Sequence, residues 1–357
     1  MSLAELLATL SDAFGVSGFE DEIRERIAET IKPYADEIVV DPLGNLLATR
    51  RGRSEKTLML DAHMDEIGFL VKWVDEAGYL RVAPIGGWDP RTLPTHRVVI
   101  HTRPGEVRHG VIGAAPPHIL TEEQRKSAPK IEDLFLDVGA TSAEDVADLG
   151  IRIGDPLTIH YPFAELRDGY VTGKAFDDRA GCAVLLETAR HLAERDLDLT
   201  TVFAFVIGEE VGLRGARTAA HRIAPDLAVA VEGTIGADMP GIKAENQPVR
   251  LRKGPALTVA DRTIIVSRAL LAHIEEIAAR NDIPYQYKLP AYGGTDAGAI
   301  HITGGGIPSA VVSVPCRYVH SPTSTLHMED LENTARLVCA ITEDAPSLLA
   351  AAQHSLS

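Results

Sequence analysis

The sequence predicts an α/β fold, a mostly parallel central sheet flanked by helices, interrupted by a small inserted β-barrel-like domain. Three observations carry that expectation. Strand-length apolar runs alternate with amphipathic helical stretches near the start of the chain and again after Gly173. Between about Val71 and Phe163 the texture changes to short β-like runs separated by Gly, Pro and Asp turns. At 357 residues the chain is long enough for more than one structural unit. The expected division is therefore 1–69 with 165–357 as one discontinuous α/β domain, and 70–164 as an inserted β-rich domain.

The elements follow in order. Leu3, Leu6, Leu7, Leu10 and Phe14 repeat at helical spacing, and a turn at Gly15-Val16-Ser17-Gly18 follows. Ser17 and Glu20 have the spacing of a capping box ahead of a helix carrying Ile23 and Ile27. Thr57 to Leu60 reads as a strand running into Asp61-Ala62-His63-Met64-Asp65. Tyr79–Pro84, Arg97–Thr102, Val107–Ile112, Leu134–Val138 and Pro156–His160 are the short runs of the insert, with one helical stretch near Ser142–Leu149. Then come a helix over Ala180–Arg195, strands at Thr201–Ile207 and Leu227–Val231, and a helix capped by Ser267 that buries Leu270, Leu271, Ile274 and Ile277. A strand at Ser309–Val314 and a last helix from about Glu329 end the pattern. Such alternation predicts parallel strands covered on both faces.

Composition excludes several function classes. Lysine plus arginine total 35 against 51 acidic residues, a formal net charge of −16, which argues against nucleic acid or an anionic membrane surface as partner. No apolar stretch approaches bilayer-spanning length. The N-terminal leucines are interrupted by Glu5 and Asp12 and lack a preceding basic region, so a signal peptide is not expected. Cys182, Cys316 and Cys339 are odd in number and scattered, which suits a reducing, cytoplasmic compartment.

Five segments place metal-type ligands at or beyond the ends of expected strands: His63-Met64-Asp65, Asp177-Asp178, Glu209-Glu210, Glu232 and His320. In open α/β sheets such residues converge at the carboxyl edge. Each segment has a plainer reading alone: a satisfied histidine, an N-capping aspartate, a solvated turn. Together, two histidines and several carboxylates make a nitrogen/oxygen donor set suited to zinc, cobalt or manganese. Without cysteine ligands it fits a catalytic site better than a structural one. Asp65 can hold the second ring nitrogen of a metal-binding His63. Of Glu209 and Glu210, one can bind metal while the other takes a proton from water. The run Ala291-Tyr292-Gly293-Gly294-Thr295-Asp296-Ala297-Gly298 has no phosphate-loop ending, and a turn lining a substrate pocket through Gly294, Thr295 and Asp296 is one reading of it, a plain loop the other.

Several runs together resemble one family. Ala62-His63-Met64-Asp65-Glu66-Ile67-Gly68, Lys174-Ala175-Phe176-Asp177-Asp178-Arg179, Glu209-Glu210-Val211-Gly212-Leu213-Arg214-Gly215 and Gly293-Gly294-Thr295-Asp296-Ala297-Gly298 are similar to the tetrahedral (TET) aminopeptidases and their glutamyl and deblocking relatives among the MH-clan metallopeptidases. The likeness runs from about Ala13 to the last helix and includes Arg81 to Gly87. It implies a zinc-peptidase-like fold and two divalent ions per subunit, zinc first, with cobalt or manganese as alternatives. The implied metal ligands are His63, Glu210, Glu232 and His320, with Asp177 bridging and the Asp177–Asp178 peptide cis. Glu209 would be the general base acting on a water between the ions, and Asp65 the partner of His63. The insert would be a dimerisation domain, and dimers would build a tetrahedral dodecamer that admits short peptides. Many relatives carry aspartate where this chain has Glu232. Deacylases of the wider clan often use glutamate there, so a metal-dependent N-acyl amino acid deacylase is the alternative to an aminopeptidase.

Overall fold

The computed structural model describes residues 1–103, 105–289 and 293–354, so Ala291 and Tyr292 of the glycine run lie outside the described residues. Among these, eight strands form the main sheet. Their order is Glu37–Val40, Leu46–Arg50, Thr200–Val206, Thr57–His63, Leu227–Ile235, Ser309–Cys316, Ala256–Thr258 and Gln286–Lys288. The four strands from Thr200–Val206 to Ser309–Cys316 are mutually parallel. Leu46–Arg50 joins them antiparallel on one side and Ala256–Thr258 on the other. The sheet is thus parallel at its centre and mixed at its margins. The hairpin at one margin has a local cause: the connection Asp41–Asn45 is tight, with the Asp41 carboxylate accepting the N–H groups of Leu43, Gly44 and Asn45.

Both faces of the centre are covered. Leu58, Leu60 and Ala62 join a core with the helices Leu3–Asp12, Asp21–Ile31, Phe176–His191 and Met328–Glu343, whereas Met59 between them joins a second core under Arg214–Ile223. That is the two-residue alternation of a strand buried on both sides. A further small sheet orders Ala164–Glu165, Tyr170–Gly173 and Ser324–His327.

The β-rich segment closes as a barrel in the order Gly68–Val74, Leu80–Ile85, Phe135–Asp137, Val107–Gly113, Arg97–His101 and Pro156–Ile159. It has its own core, including Phe69, Val71, Leu80, Val98, Ile100 and Leu157. Its first strand is absent from the runs read off the sequence, because a register shift between Val71 and Trp73 breaks the alternation. The expected boundary at residue 70 falls inside this strand. The barrel segment also carries a second short helix, Glu122–Lys126, beside Ala143–Asp148. Trp73, Val107 and Val111 point outward and are exposed.

Several local expectations need correction. Ser17 and Glu20 form no capping box: Asp21–Ile31 has no side-chain cap at Glu20, whose carboxylate accepts the Gly18 N–H, while Ser17 donates to Asp65. Ser267 precedes helix Arg268–Arg280 without a capping hydrogen bond, and Leu271 is only half-buried. The helix expected over Ala180–Arg195 is Phe176–His191, and the C-terminal stretch is two helices, Met328–Glu343 and Ala345–His354. Glu232 sits within its strand rather than at its end.

Candidate metal centre

His63 is the last residue of its strand, and the sheet's carboxyl edge brings it beside the other ligand-type groups. Asp65 lies two residues beyond the strand end and still reaches back to the His63 ring. The His63 Nδ1 is 3.2 Å from the Asp65 carbonyl oxygen and 3.4 Å from its Oδ1. Asp65 also organises the opposite loop. Its Oδ1 accepts the Glu209 N–H at 3.0 Å, and its Oδ2 accepts the Glu210 N–H at 3.3 Å and the Ser17 hydroxyl at 2.6 Å. One buried carboxylate therefore sets the positions of a histidine and two glutamates.

Asp177 arrives from the small sheet by way of Ala175, which has φ +55°, and a cis Asp177–Asp178 peptide. Its two oxygens face different histidines: Oδ1 lies 3.4 Å from His63 Nε2 and Oδ2 lies 3.7 Å from His320 Nε2. His320 Nε2 is also 3.3 Å from Glu210 Oε2. Glu232 Oε2 and Glu209 Oε2 each approach His63 Nε2 to 3.9 Å. Two clusters could each hold an ion, with ligand atoms all within 4.8 Å of one another: His63 with Asp178 and Glu232, and Asp177 with Glu210 and His320. All five residues proposed as ligands from the sequence are brought together. Asp178, which had no separate role, enters the first cluster.

The electrostatics fit a cation site. Burial, then the negative charge of Glu232 and Glu210, pushes the Glu209 carboxyl well above its usual range. Burial lifts Asp178 well above, and Glu232 to about 7. His320, hydrogen-bonded to Glu210, is raised to about 9. Burial disfavours a charged His63, but its hydrogen bonds to Asp177 and Asp65 prevail and raise it. Burial and mutual repulsion thus favour the protonated forms of Asp178, Glu209, Glu210 and Glu232, whereas at Asp177 burial is outweighed by the neighbouring histidines, which hold it low; divalent cations would neutralise the same carboxylates. Asp178 Oδ2 is buried without a hydrogen-bond partner, as a ligand atom would be. The Cys182 thiol is nearby but donates to the His63 carbonyl oxygen and belongs to neither cluster.

The substrate-pocket candidates divide. Gly294 is exposed, but Thr295 and Asp296 are buried. Thr295 donates its hydroxyl to Asp261 Oδ2 at 2.9 Å, and the Asp296 N–H holds Glu232 Oε1 at 2.9 Å. In this arrangement the Asp296 backbone supports Glu232, and the Thr295 hydroxyl is taken by Asp261. The cleft beside the second cluster is lined by Trp88 from the barrel side and by Lys174, Asp177, Glu210 and His320. Backbone closeness matters there: a Cβ on Gly87 would lie 3.1 Å from His320 Nδ1. Sequence reading missed Lys288, whose charge acts on both Asp177 and Glu232 from the edge strand. It also gave Glu66 and Lys174 no role, although both stand inside quoted motifs.

A parallel-centred sheet with a histidine–carboxylate cluster at its carboxyl edge and a barrel beside the cleft matches the α/β peptidase class. The chain belongs to the M42 glutamyl aminopeptidase family, whose pattern matches residues 44–337. It is 37% identical over 344 residues to the lysyl aminopeptidase of Pyrococcus furiosus, covering 95% of this chain and 96% of that one. The crystal structure of a TET aminopeptidase from a marine-sediment thaumarchaeote superposes with a TM-score of 0.95 at 38% identity, covering 98% of each chain. The TET1 peptidase of Pyrococcus horikoshii, described as assembling into a tetrahedron or a large octahedral shell, superposes with a TM-score of 0.86 at 36% identity, covering 96% of this chain and 99% of that one. The chain is accordingly an aminopeptidase. No helix among the described residues is long and apolar enough to cross a membrane.

Proposed function

We propose that the protein is a co-catalytic two-metal aminopeptidase that removes N-terminal residues from short peptides. The observation that carries this reading is the place of Asp177, a member of the second cluster whose two oxygens face His320 at 3.7 Å and, in the first cluster, His63 at 3.4 Å. His63 and Glu232 would hold one ion, Glu210 and His320 the other, and Asp177 both. The nitrogen/oxygen donor set suits zinc, with cobalt or manganese able to substitute. Two ions bound there would polarise the scissile carbonyl and acidify the attacking water.

The chain's own residues do the rest. Glu209 takes the proton of the attacking water and returns it to the leaving amine. Burial beside Glu210 and Glu232 raises its pKa, as a base working near neutrality requires. Asp65 fixes the His63 ring through Nδ1, leaving Nε2 aimed at the cluster, and holds the Glu209 backbone at 3.0 Å. The cleft walls, Trp88 among them, limit water around the reacting groups.

Residues 70–164 are proposed as a dimerisation domain inserted into the catalytic domain formed by 1–69 and 165–357. Dimers would assemble into a tetrahedral dodecamer, consistent with what the Pyrococcus horikoshii relative is described as forming. A cytoplasmic location is the matching expectation.

The decisive experiment measures metal content and cleavage of a panel of aminoacyl anilides before and after chelation. Two ions per chain, with activity lost in chelator and restored by zinc or cobalt, is the expected result. Cleavage of N-acetylated amino acids in place of free-amine substrates would transfer the assignment to the deacylase alternative. Full activity in chelator would refute the two-metal reading.

A further inference from the structure

A second charged group is buried beside the metal centre, and the reaction does not use it. Glu66, Lys174 and Arg179 are 2%, 7% and 0% exposed. Lys174 Nζ donates to both Glu66 oxygens, at 2.7 and 2.9 Å, and to the Ala13 carbonyl at 2.8 Å. Arg179 Nη1 donates to the carbonyls of Leu10 and Ala13 at 2.6 and 3.2 Å, and its Nη2 reaches Glu66 Oε1 at 3.5 Å. The Gly15 N–H and the Thr158 hydroxyl, each at 3.1 Å, complete the shell around the Glu66 carboxylate. There is little slack: a Cβ on Gly15 would lie 2.6 Å from Arg179 Nη2.

The position of this group matters more than its packing. Glu66 directly follows Asp65, while Lys174 and Arg179 flank the Asp177–Asp178 pair. Glu66 and Lys174 line the same cleft as Asp177, Glu210 and His320. Two buried cations against one carboxylate leave a single excess positive charge behind a site meant for divalent cations. Removing Glu66 would leave two. Buried charges act on one another strongly because little water screens them.

We propose that Glu66 is a positioning residue of the metal centre that acts by charge, cancelling Lys174 so that Asp177 and Glu210 can hold a divalent cation. The inference rests on the two-metal reading of the preceding section. A purely structural tie would depend on the Glu66–Lys174 contact itself. The charge role depends only on the balance, and the double substitution Glu66→Gln with Lys174→Met preserves that balance while abolishing the contact.

The test uses the full-length chain stripped of metal, with zinc binding followed by calorimetry and folding by far-ultraviolet circular dichroism. In Glu66→Gln, zinc affinity at the weaker of two sites is expected to fall about 10–100-fold, the usual effect of disturbing a partner of the ligands. In the double variant it is expected to return to within about threefold of the parent chain. Parent-like zinc binding by Glu66→Gln, or a double variant as weak as the single one, overturns the proposal. Should Glu66→Gln fail to fold, the double variant decides alone. Folded with parent-like affinity it supports the proposal; unfolded, or folded with affinity about tenfold or more weaker, it overturns it. A parent chain that binds two zinc ions in either case keeps the two-metal reading intact, and one that binds none removes that reading first.

Discussion

Replacing Asp65 with asparagine changes one atom and tests how the metal centre is held. The carboxylate is fully buried and accepts from Ser17 Oγ at 2.6 Å, Glu209 N at 3.0 Å and Glu210 N at 3.3 Å, beside His63 Nδ1 at 3.4 Å. An amide keeps one acceptor, best used on the Glu209 N–H. Its NH2 then faces the Ser17 hydroxyl, which can turn to accept, and the Glu210 N–H, which cannot. Orphaning that buried N–H costs about 1–3 kcal/mol, and trading two charge-assisted contacts for neutral ones loses about 1 kcal/mol each. The metal-free Asp65→Asn chain should therefore lose about 3–5 kcal/mol of stability, read as a lower urea midpoint by circular dichroism. With the His63 ring braced by a neutral amide oxygen in place of a carboxylate, and the Glu210 backbone released, zinc affinity should drop about 10–100-fold and turnover should fall even at saturating zinc. Unchanged zinc affinity together with a stability loss below about 1 kcal/mol would refute the view that Asp65 organises the site.

Glu209→Gln should retain both ions and the fold yet lose about 10²–10⁴-fold in kcat, and a metal-replete variant with near-normal turnover would exclude it as the base. Metal uptake should release protons. His320, at about 9 in the metal-free protein, carries one at pH 8 that a bound cation must displace, and Glu232, at about 7, adds a share below that. Zinc affinity should thus climb as pH rises to about 9, and calorimetry at pH 8 in buffers of different ionisation enthalpy should find at least one proton released, because His63 is raised as well; none would exclude His320 as a ligand. Gly181→Ala should be poorly tolerated, since its Cβ would sit 2.4 Å from both Asp178 oxygens and 2.5 Å from the Val231 carbonyl. A loss of at least about 1–3 kcal/mol with weakened zinc binding is expected, and a variant matching the parent in both would show that Asp178 is free to move.

What the sequence disclosed and what it withheld divide along physical lines. The central strands were legible because burial on both faces writes them as unbroken apolar runs, as in Ala228 to Val231. The ligand-type residues were legible because ionisable groups at or just after such runs are conspicuous at His63 and Glu209, with His320 a few residues past its strand. The barrel showed as a change of texture, but its first strand did not, since a bulge erased its period. Local patterns misled where a distant partner claimed the side chain: Ser17 has the spacing of a cap, but the buried Asp65 carboxylate takes its hydroxyl. Supporting residues were the hardest to see. Glu66 and Thr158 are 92 positions apart, and no periodicity in either neighbourhood announces their hydrogen bond. Asp296 resembles a loop acid in sequence; only folding shows that its N–H steadies Glu232.

The closed ring of barrel strands has a consequence for how copies of the chain could recognise each other. A ring leaves little free border of N–H and C=O groups for another backbone to join, chiefly beyond Leu80 where Leu80–Ile85 parts from Phe135–Asp137, so association through it has little room for strand addition. Most contact there falls to outward side chains such as Trp73, Val107 and Val111. Recognition then depends on the fit of a few side-chain contours and not on a ladder any extended peptide could extend. Such a surface can choose its partner sharply, and a single bulky or charged replacement is enough to close it.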